Sequence, residues 1–152
     1  MTDERTTPGL VCAHHHLYSA LARGMPAPPH TPTSFLDVLE QVWWRLDTAL
    51  DLEMLEWSAK LGALEALESG TTAIIDHNES PNAIEGSLSI IEEACAEVGV
   101  RVVTAYGISD RHGHDGALRG LEENRQIVRL KLFERDPGGV GGDVDRGVHL
   151  AV

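Results

Sequence analysis

Three short apolar runs, separated by helix-length segments, restrict this chain to few folds. The runs cover residues 10–13, 71–75 and 101–106, and apolar and β-branched side chains dominate them. Such composition is typical of buried strands. Strands that alternate with helices form a parallel sheet joined by right-handed crossovers. The sequence therefore predicts an α/β fold, and its length favours one domain over residues 1–152.

Apolar residues at three- and four-residue spacings predict the helices between these strands. A helical turn is predicted over 17–25, and four prolines between residues 26 and 32 predict a loop, either a rim over a site or a plain connector. Ser80 is predicted to cap the third longer helix, with Pro81 in its first turn. The predicted longer helices cover about 35–46, 51–69, 81–98 and 115–134.

The first predicted strand ends in three consecutive histidines, His14, His15 and His16. In an extended strand alternate side chains share a face, so His14 and His16 point one way and His15 the other. Two imidazoles about 6–7 Å apart at Cα can bind one metal ion. A short His-x-His pattern also occurs in solvated chain ends, so both interpretations stay open on these residues alone.

Polar residues also follow the second and third strands. The carboxyl ends of parallel strands meet at one edge of a sheet, which predicts a shared site there, although each group could simply begin a hydrophilic loop. Arg23 follows the first strand and has a surface salt bridge as its alternative role. By position, the candidate substrate contacts are Arg23, His77, Asp110 and His112.

Composition narrows the function classes. The chain has 12 basic and 24 acidic residues, a net charge of −12 with neutral histidines, which argues against nucleic-acid and anionic-membrane partners. It has no apolar run near the roughly 20 residues of a membrane span. Its two cysteines, Cys12 and Cys95, are too few for a disulfide scaffold and are expected to be reduced and buried. These features predict a cytoplasmic protein. Separately, the glycines between residues 138 and 147 mark residues 136–152 as a divergent glycine-rich tail.

Several motifs together resemble the amidohydrolase superfamily. The likeness is greatest to its cytosine deaminase, guanine deaminase and chlorohydrolase branch, and within that branch to the SsnA aminohydrolases. It extends over about residues 8–125. The matching motifs are PGLVCAHHHL at 8–17, ARGM at 22–25, ESGTT at 68–72, and DH with SPNAIEG between 76 and 86.

This resemblance implies a partial (β/α)8 TIM-type barrel, of which the chain would contain about the first three βα units. It implies that His14 and His16 ligate a divalent metal, usually zinc, with iron as an alternative. The metal would activate a water molecule that attacks an electrophilic carbon of a small amino-heterocycle or related ring. Ammonia, or chloride in the chlorohydrolases, would then leave.

The sequence also departs from the family pattern. Members continue for several hundred residues, and later strands supply another histidine ligand, a metal-binding aspartate and a proton-shuttling glutamate. These positions are not recognisable in the 152 residues. The resemblance therefore predicts an incomplete hydrolase barrel that is inactive alone and needs the remainder of a barrel or an oligomer. The alternative is a non-enzymatic open α/β module that binds a metal or a partner.

Overall fold

A computed structural model describes residues 6–135, in which three parallel strands alternate with helices. The strands pair in sequential order, and both pairings are parallel. This arrangement confirms the predicted α/β class and the three consecutive βα units. The predicted tail at 136–152 lies outside the described residues. The strands are β1 (Leu10–His15), β2 (Thr71–Asn78) and β3 (Arg101–Tyr106).

Within residues 6–135, five α-helices and three 3-10 or π-helical segments lie between the strands or after β3. Ser34 and Asp37 form a capping box at the first helix, and the Asp51 side chain accepts the Met54 N–H at the third. The helices are α1 (Phe35–Val38), α2 (Trp44–Ala49), α3 (Leu52–Glu68), α4 (Ser87–Val98) and α5 (His114–Arg135). The other three helical segments are 3-10 helices at Leu17–Gly24 and Asp110–His112 and a π-helical turn at Leu39–Trp43.

The helix that follows β2 begins later than the capping pattern predicts. Ser80 is buried in a turn, and its N–H donates to the Tyr106 hydroxyl at 3.1 Å. Helix α4 begins only after Gly86, whose φ of +81° suits glycine. The Glu123 carboxylate accepts the N–H groups of Gly86 and Leu88, both at 3.0 Å. A side chain distant in sequence therefore accepts the free backbone N–H groups at the start of α4.

The sheet is covered by helices on one face. On that face a core cluster contains residues from α3, β2 and α4. On the opposite face Val11, Ile75 and Val103 are 66%, 47% and 59% exposed, so nothing among residues 6–135 covers them. The expectation of a buried first strand is wrong for Val11 and for Leu10. The core cluster comprises Leu17, Ala59, Ala63, Ile74, Ile91, Ala94, Cys95 and Val100.

Two further sequence expectations concern cysteines and membranes. Cys12 and Cys95 are both free; Cys95 is buried, whereas Cys12 is only partly buried. No helix within residues 6–135 combines the length and the apolarity needed to cross a membrane.

Replacing Glu123 tests how α4 is started. The Glu123→Gln change substitutes an amide donor for one of two acceptor oxygens, so one buried N–H loses its partner. We expect the free energy of unfolding to fall by about 1–3 kcal/mol, measured by urea denaturation. The neighbouring Glu122 is exposed, so the control Glu122→Gln should change it by less than about 0.5 kcal/mol. Equal effects of the two substitutions would contradict this account.

Candidate functional site

His14 and His16 lie side by side at the carboxyl end of β1. Their Nε2 atoms are 3.1 Å apart, and the two rings are nearly perpendicular. His15 points the other way, toward α3, where its Cε1 lies 3.7 Å from the position that a Cβ on Gly62 would occupy. The division of the three side chains between two sides agrees with the prediction from strand alternation.

An irregularity in β1 determines which side the pair occupies. Cys12 pairs with Ile74, whereas His15, three positions on, pairs with the residue only two positions further along β2. Cys12 packs against the core on the helix side. In a regular strand His14 would share that side, but the extra residue shifts the alternation and places His14 and His16 on the open side. The sequence gives no signal for this bulge.

The ring of His16 is oriented by a backbone group of β2. Its Nδ1 lies 3.0 Å from the carbonyl oxygen of His77. Because a carbonyl can only accept, Nδ1 carries the hydrogen and Nε2 presents a lone pair toward His14. A backbone carbonyl on the second ring nitrogen is the usual arrangement around a metal-binding histidine.

Two consecutive residues at the end of β2 complete the surroundings of the pair. The His77 ring is 5.4 Å from that of His16, and burial, followed by the neighbouring His16, lowers its pKa. Asp76 is fully buried and its Oδ1 accepts the Leu17 N–H at 2.7 Å. Burial raises the pKa of Asp76 to about 7, and the hydrogen bond from Leu17 opposes that shift.

A cluster of two carboxylates and one guanidinium lies beyond His16. Arg111 donates from Nη2 to Asp47 at 3.0 Å and to Glu79 at 3.3 Å, and it lies over the Trp44 ring. Burial raises the pKa of Asp47 to about 6, with Arg111 opposing, and burial likewise raises the pKa of Glu79. The cluster carries more acid than base, so it favours a ligand group that donates hydrogen bonds.

Aromatic rings connect this cluster to the imidazole pair. Tyr18 and Trp43 lie 5.7 and 6.0 Å from the His16 ring and 6.2 Å from each other. Burial, followed by the charge of Asp47, raises the pKa of Tyr18. Trp43 ends the π-helical turn and Trp44 starts α2, so this irregular segment supplies both indoles.

The structure separates the four predicted substrate contacts. Only His77 among them lies beside the imidazole pair. Arg23 is 71% exposed and binds Glu65 at 2.6 Å, which matches its alternative role in a surface salt bridge. Asp110 and His112 are exposed on a 3-10 turn.

Asp110 and His112 were predicted to face the site, but the residue between them, Arg111, is the one that does so. Arg111 is partly buried and reaches Glu79, which itself belongs to the polar group after β2. Both residues follow strands, as the strand-end pattern expects, but neither is among the four predicted contacts, which stay predictions. Asp47 and Trp43 come from the helical segment before α3, where sequence position gives no comparable signal.

The imidazole pair fits two ligand positions of a zinc ion. With Zn–N bonds of about 2.0–2.1 Å, two ligands of a tetrahedral ion lie about 3.3 Å apart, close to the 3.1 Å between His14 and His16. Among the side chains described, those of residues 6–131, no three His, Cys, Asp or Glu are grouped closely enough to hold an ion. The pair could thus supply two ligands at most, whereas a catalytic zinc normally has three plus water.

Comparison with known proteins gives consistent matches. The model of the amidohydrolase family matches residues 5–146. The 5'-deoxyadenosine deaminase of Methanopyrus kandleri is 32% identical over 80% of this chain and 26% of its own. The 5-methylthioadenosine/S-adenosylhomocysteine deaminase 2 of Archaeoglobus fulgidus is 31% identical over 90% of this chain and 29% of its own. The chain thus spans between a quarter and a third of the length of these relatives.

Among solved structures, the chain is similar to atrazine chlorohydrolase TrzN from Arthrobacter aurescens TC1, described as complexed with zinc. The TM-score is 0.49 at 25% identity, and the match covers 65% of this chain and 23% of the other.

The end of β3 offers a test of how closely the site is packed. A Cβ on Gly107 would overlap the Glu79 carboxylate and lie 2.6 Å from His77 Nε2. We expect Gly107→Ala to displace both side chains and to lower the free energy of unfolding by about 1–3 kcal/mol. Gly116→Ala is the matched control, because its Cβ would meet His112 at an ordinary 3.5 Å. It should be neutral or raise stability by up to about 1 kcal/mol. A harmless Gly107→Ala would contradict the packing.

The raised pKa of Asp47 predicts a pH-dependent stability difference. Its folded pKa of about 6 exceeds the unfolded value of about 3.9, so between these values the folded state binds more protons. Stability due to this group therefore falls as pH rises from 4 to 7. Urea denaturation should show wild type losing stability relative to Asp47→Asn over this range. A difference independent of pH would refute the assignment.

Proposed function

The chain belongs to the amidohydrolase family, and on that premise we propose that it forms part of a metal-dependent hydrolase that removes ammonia from a small heterocycle. The observation that carries the proposal is the 3.1 Å separation of His14 Nε2 and His16 Nε2 at the carboxyl end of β1. Catalytic residues of barrels of this type lie at the carboxyl ends of their strands.

His14 and His16 would hold the metal through Nε2, and zinc suits imidazole ligands. The His77 carbonyl keeps the hydrogen of His16 on Nδ1, so that Nε2 is free to bind. When bound, such an ion acts as a Lewis acid and lowers the pKa of a water ligand from about 16 to about 7. A third ligand and a general base would come from residues beyond the described 6–135, in the remainder of a barrel or a second chain.

Two neighbouring features support a planar substrate with amino groups. The ring of Trp43, which is only partly buried, lies 6.0 Å from that of His16 and offers an apolar surface against which a flat ring can stack, whereas Tyr18 is buried in the core. The carboxylates of Asp47 and Glu79 lie beyond them and can accept hydrogen bonds from amino groups. The relatives named above are deaminases of adenine nucleosides, which favours loss of ammonia over loss of chloride here.

We also propose that the protein acts in the cytoplasm and does not bind nucleic acid. Its free cysteines suit a reducing compartment. Its net charge of −12 would repel a phosphate backbone.

Metal binding tests the proposal directly. We expect the 152-residue chain to bind Zn²⁺, or Co²⁺ as a spectroscopic substitute, and expect His14→Ala or His16→Ala to abolish binding because each removes a ligand. His15→Ala is the adjacent control, and it should retain most of the affinity since this ring faces α3. Titration followed by Co²⁺ absorption measures all four proteins. Unchanged binding by His14→Ala and His16→Ala would refute the pair as ligands.

Activity then separates an enzyme from a binding module. We expect any longer product of the same gene to release ammonia from 5'-deoxyadenosine or 5-methylthioadenosine, and expect the 152-residue chain alone to show no turnover. Chloride release from atrazine is the competing outcome. Metal binding without turnover in either protein would instead favour the non-enzymatic α/β module.

A further inference from the structure

We propose that Asp76 is a positioning residue for the imidazole pair, acting through the backbone N–H of Leu17. The inference deepens the proposed function of that pair and rests on it. Asp76 has no contact with the Nε2 atoms of the pair. Its side chain is completely buried, and Oδ1 accepts the Leu17 N–H at 2.7 Å.

This hydrogen bond fixes the backbone at the position where β1 ends. His16 has φ of −134° and ψ of 76°, so the chain leaves the extended conformation at this residue and enters the 3-10 helix. The Leu17 N–H belongs to the peptide that joins His16 to Leu17. Because the carboxylate holds that peptide plane, it also sets the direction in which the His16 ring leaves the backbone.

Leu17 is held on its other sides by α3. The Ser58 hydroxyl donates to the Leu17 carbonyl at 2.7 Å. The Leu17 side chain is fully buried, and its Cδ2 lies 2.8 Å from where a Cβ on Gly62 would be. The carbonyl and side chain of Leu17 thus belong to the helix layer, and its N–H is tied to the sheet by Asp76.

Consecutive residues of β2 therefore hold His16 at two points. The side chain of Asp76 fixes the backbone after His16, and the carbonyl of His77 receives the ring Nδ1–H at 3.0 Å. Loss of the first contact would let the peptide rotate, and the ring would then lose its alignment with the His77 carbonyl and with His14. The two contacts act on the same side chain from one strand end.

The acceptor oxygen, rather than the negative charge, explains this role. The nearest basic atom to the carboxylate is His15 Nδ1 at 3.9 Å, which is too far for a hydrogen bond. An asparagine at this position would preserve an acceptor for the Leu17 N–H, whereas alanine would not.

Co²⁺ titration of three variants tests the proposal. Asp76→Ala should weaken binding about 10–100-fold, the usual effect of removing a group that orients a metal ligand. Asp76→Asn should restore it to within about 3-fold. Glu123→Ala is the matched control, because Glu123 is also a buried carboxylate that accepts backbone N–H groups, but at the start of α4. It should lower stability and leave the affinity unchanged.

A metal-free measurement keeps this inference separate from the proposed function. Nitrogen-15 NMR of the His16 ring should show the Nδ1–H tautomer in wild type and Asp76→Asn, and a mixture of tautomers in Asp76→Ala. If wild type binds no Co²⁺, the proposed function fails, and the tautomer alone decides the role of Asp76. Asp76→Ala with wild-type ring signals, or Glu123→Ala with an equal loss of affinity, would overturn the inference.

Discussion

The hydrogen bond from His16 Nδ1 to the His77 carbonyl is the interaction on which the site depends. It joins the ends of β1 and β2, and it determines which nitrogen of His16 can bind a ligand. The pairing of β1 with β2 alone would not do this, because His16 lies just beyond the strand. Parallel strands bring the two residues to one edge, and the bulge in β1 turns the imidazoles to the open side. The backbone of β1 and β2 therefore determines both the side on which the imidazoles lie and the nitrogen of His16 that is free to bind.

This arrangement requires carboxylates to be buried, which is energetically unfavourable for their charged form. Asp76 and Asp47 lie out of contact with water, and removal from water raises the pKa of each. Their compensation differs, since Asp76 accepts a backbone N–H whereas Asp47 pairs with Arg111. Asp76 thereby joins the segment that carries His16 to the end of β2. Asp47 joins α2, which carries Trp44, to the turn after β3 that carries Arg111. Apolar side chains of similar volume often give equal or greater stability than buried charged groups, so stability alone does not explain these carboxylates.

The sequence predicted the elements better than it predicted the site. Strand β3 was predicted at its observed limits, because its β-branched run lies between Gly99 and Gly107. Helix α3 was predicted over about 51–69 and covers Leu52–Glu68, with Asp51 as its N-cap. Both depend on local signals, whereas the start of α4 depends on Glu123, a residue distant in sequence. The inward position of Arg111 likewise depends on partners from two other segments, Asp47 and Glu79, so no local pattern could separate it from its neighbours.

The exposed sheet face and the His14–His16 pair lie on the same side of the molecule. Val11, Ile75 and Val103 are exposed on the face toward which the bulge turns His14 and His16. On the helix side, the N–H and the carbonyl of Leu17 both find partners, in Asp76 and in Ser58. Apolar side chains on an open sheet face are buried, and unpaired sheet edges are removed, when further strands close the sheet. We therefore expect that the addition of strands beyond β1 and β3 would bury that face and place further side chains around the His14–His16 pair.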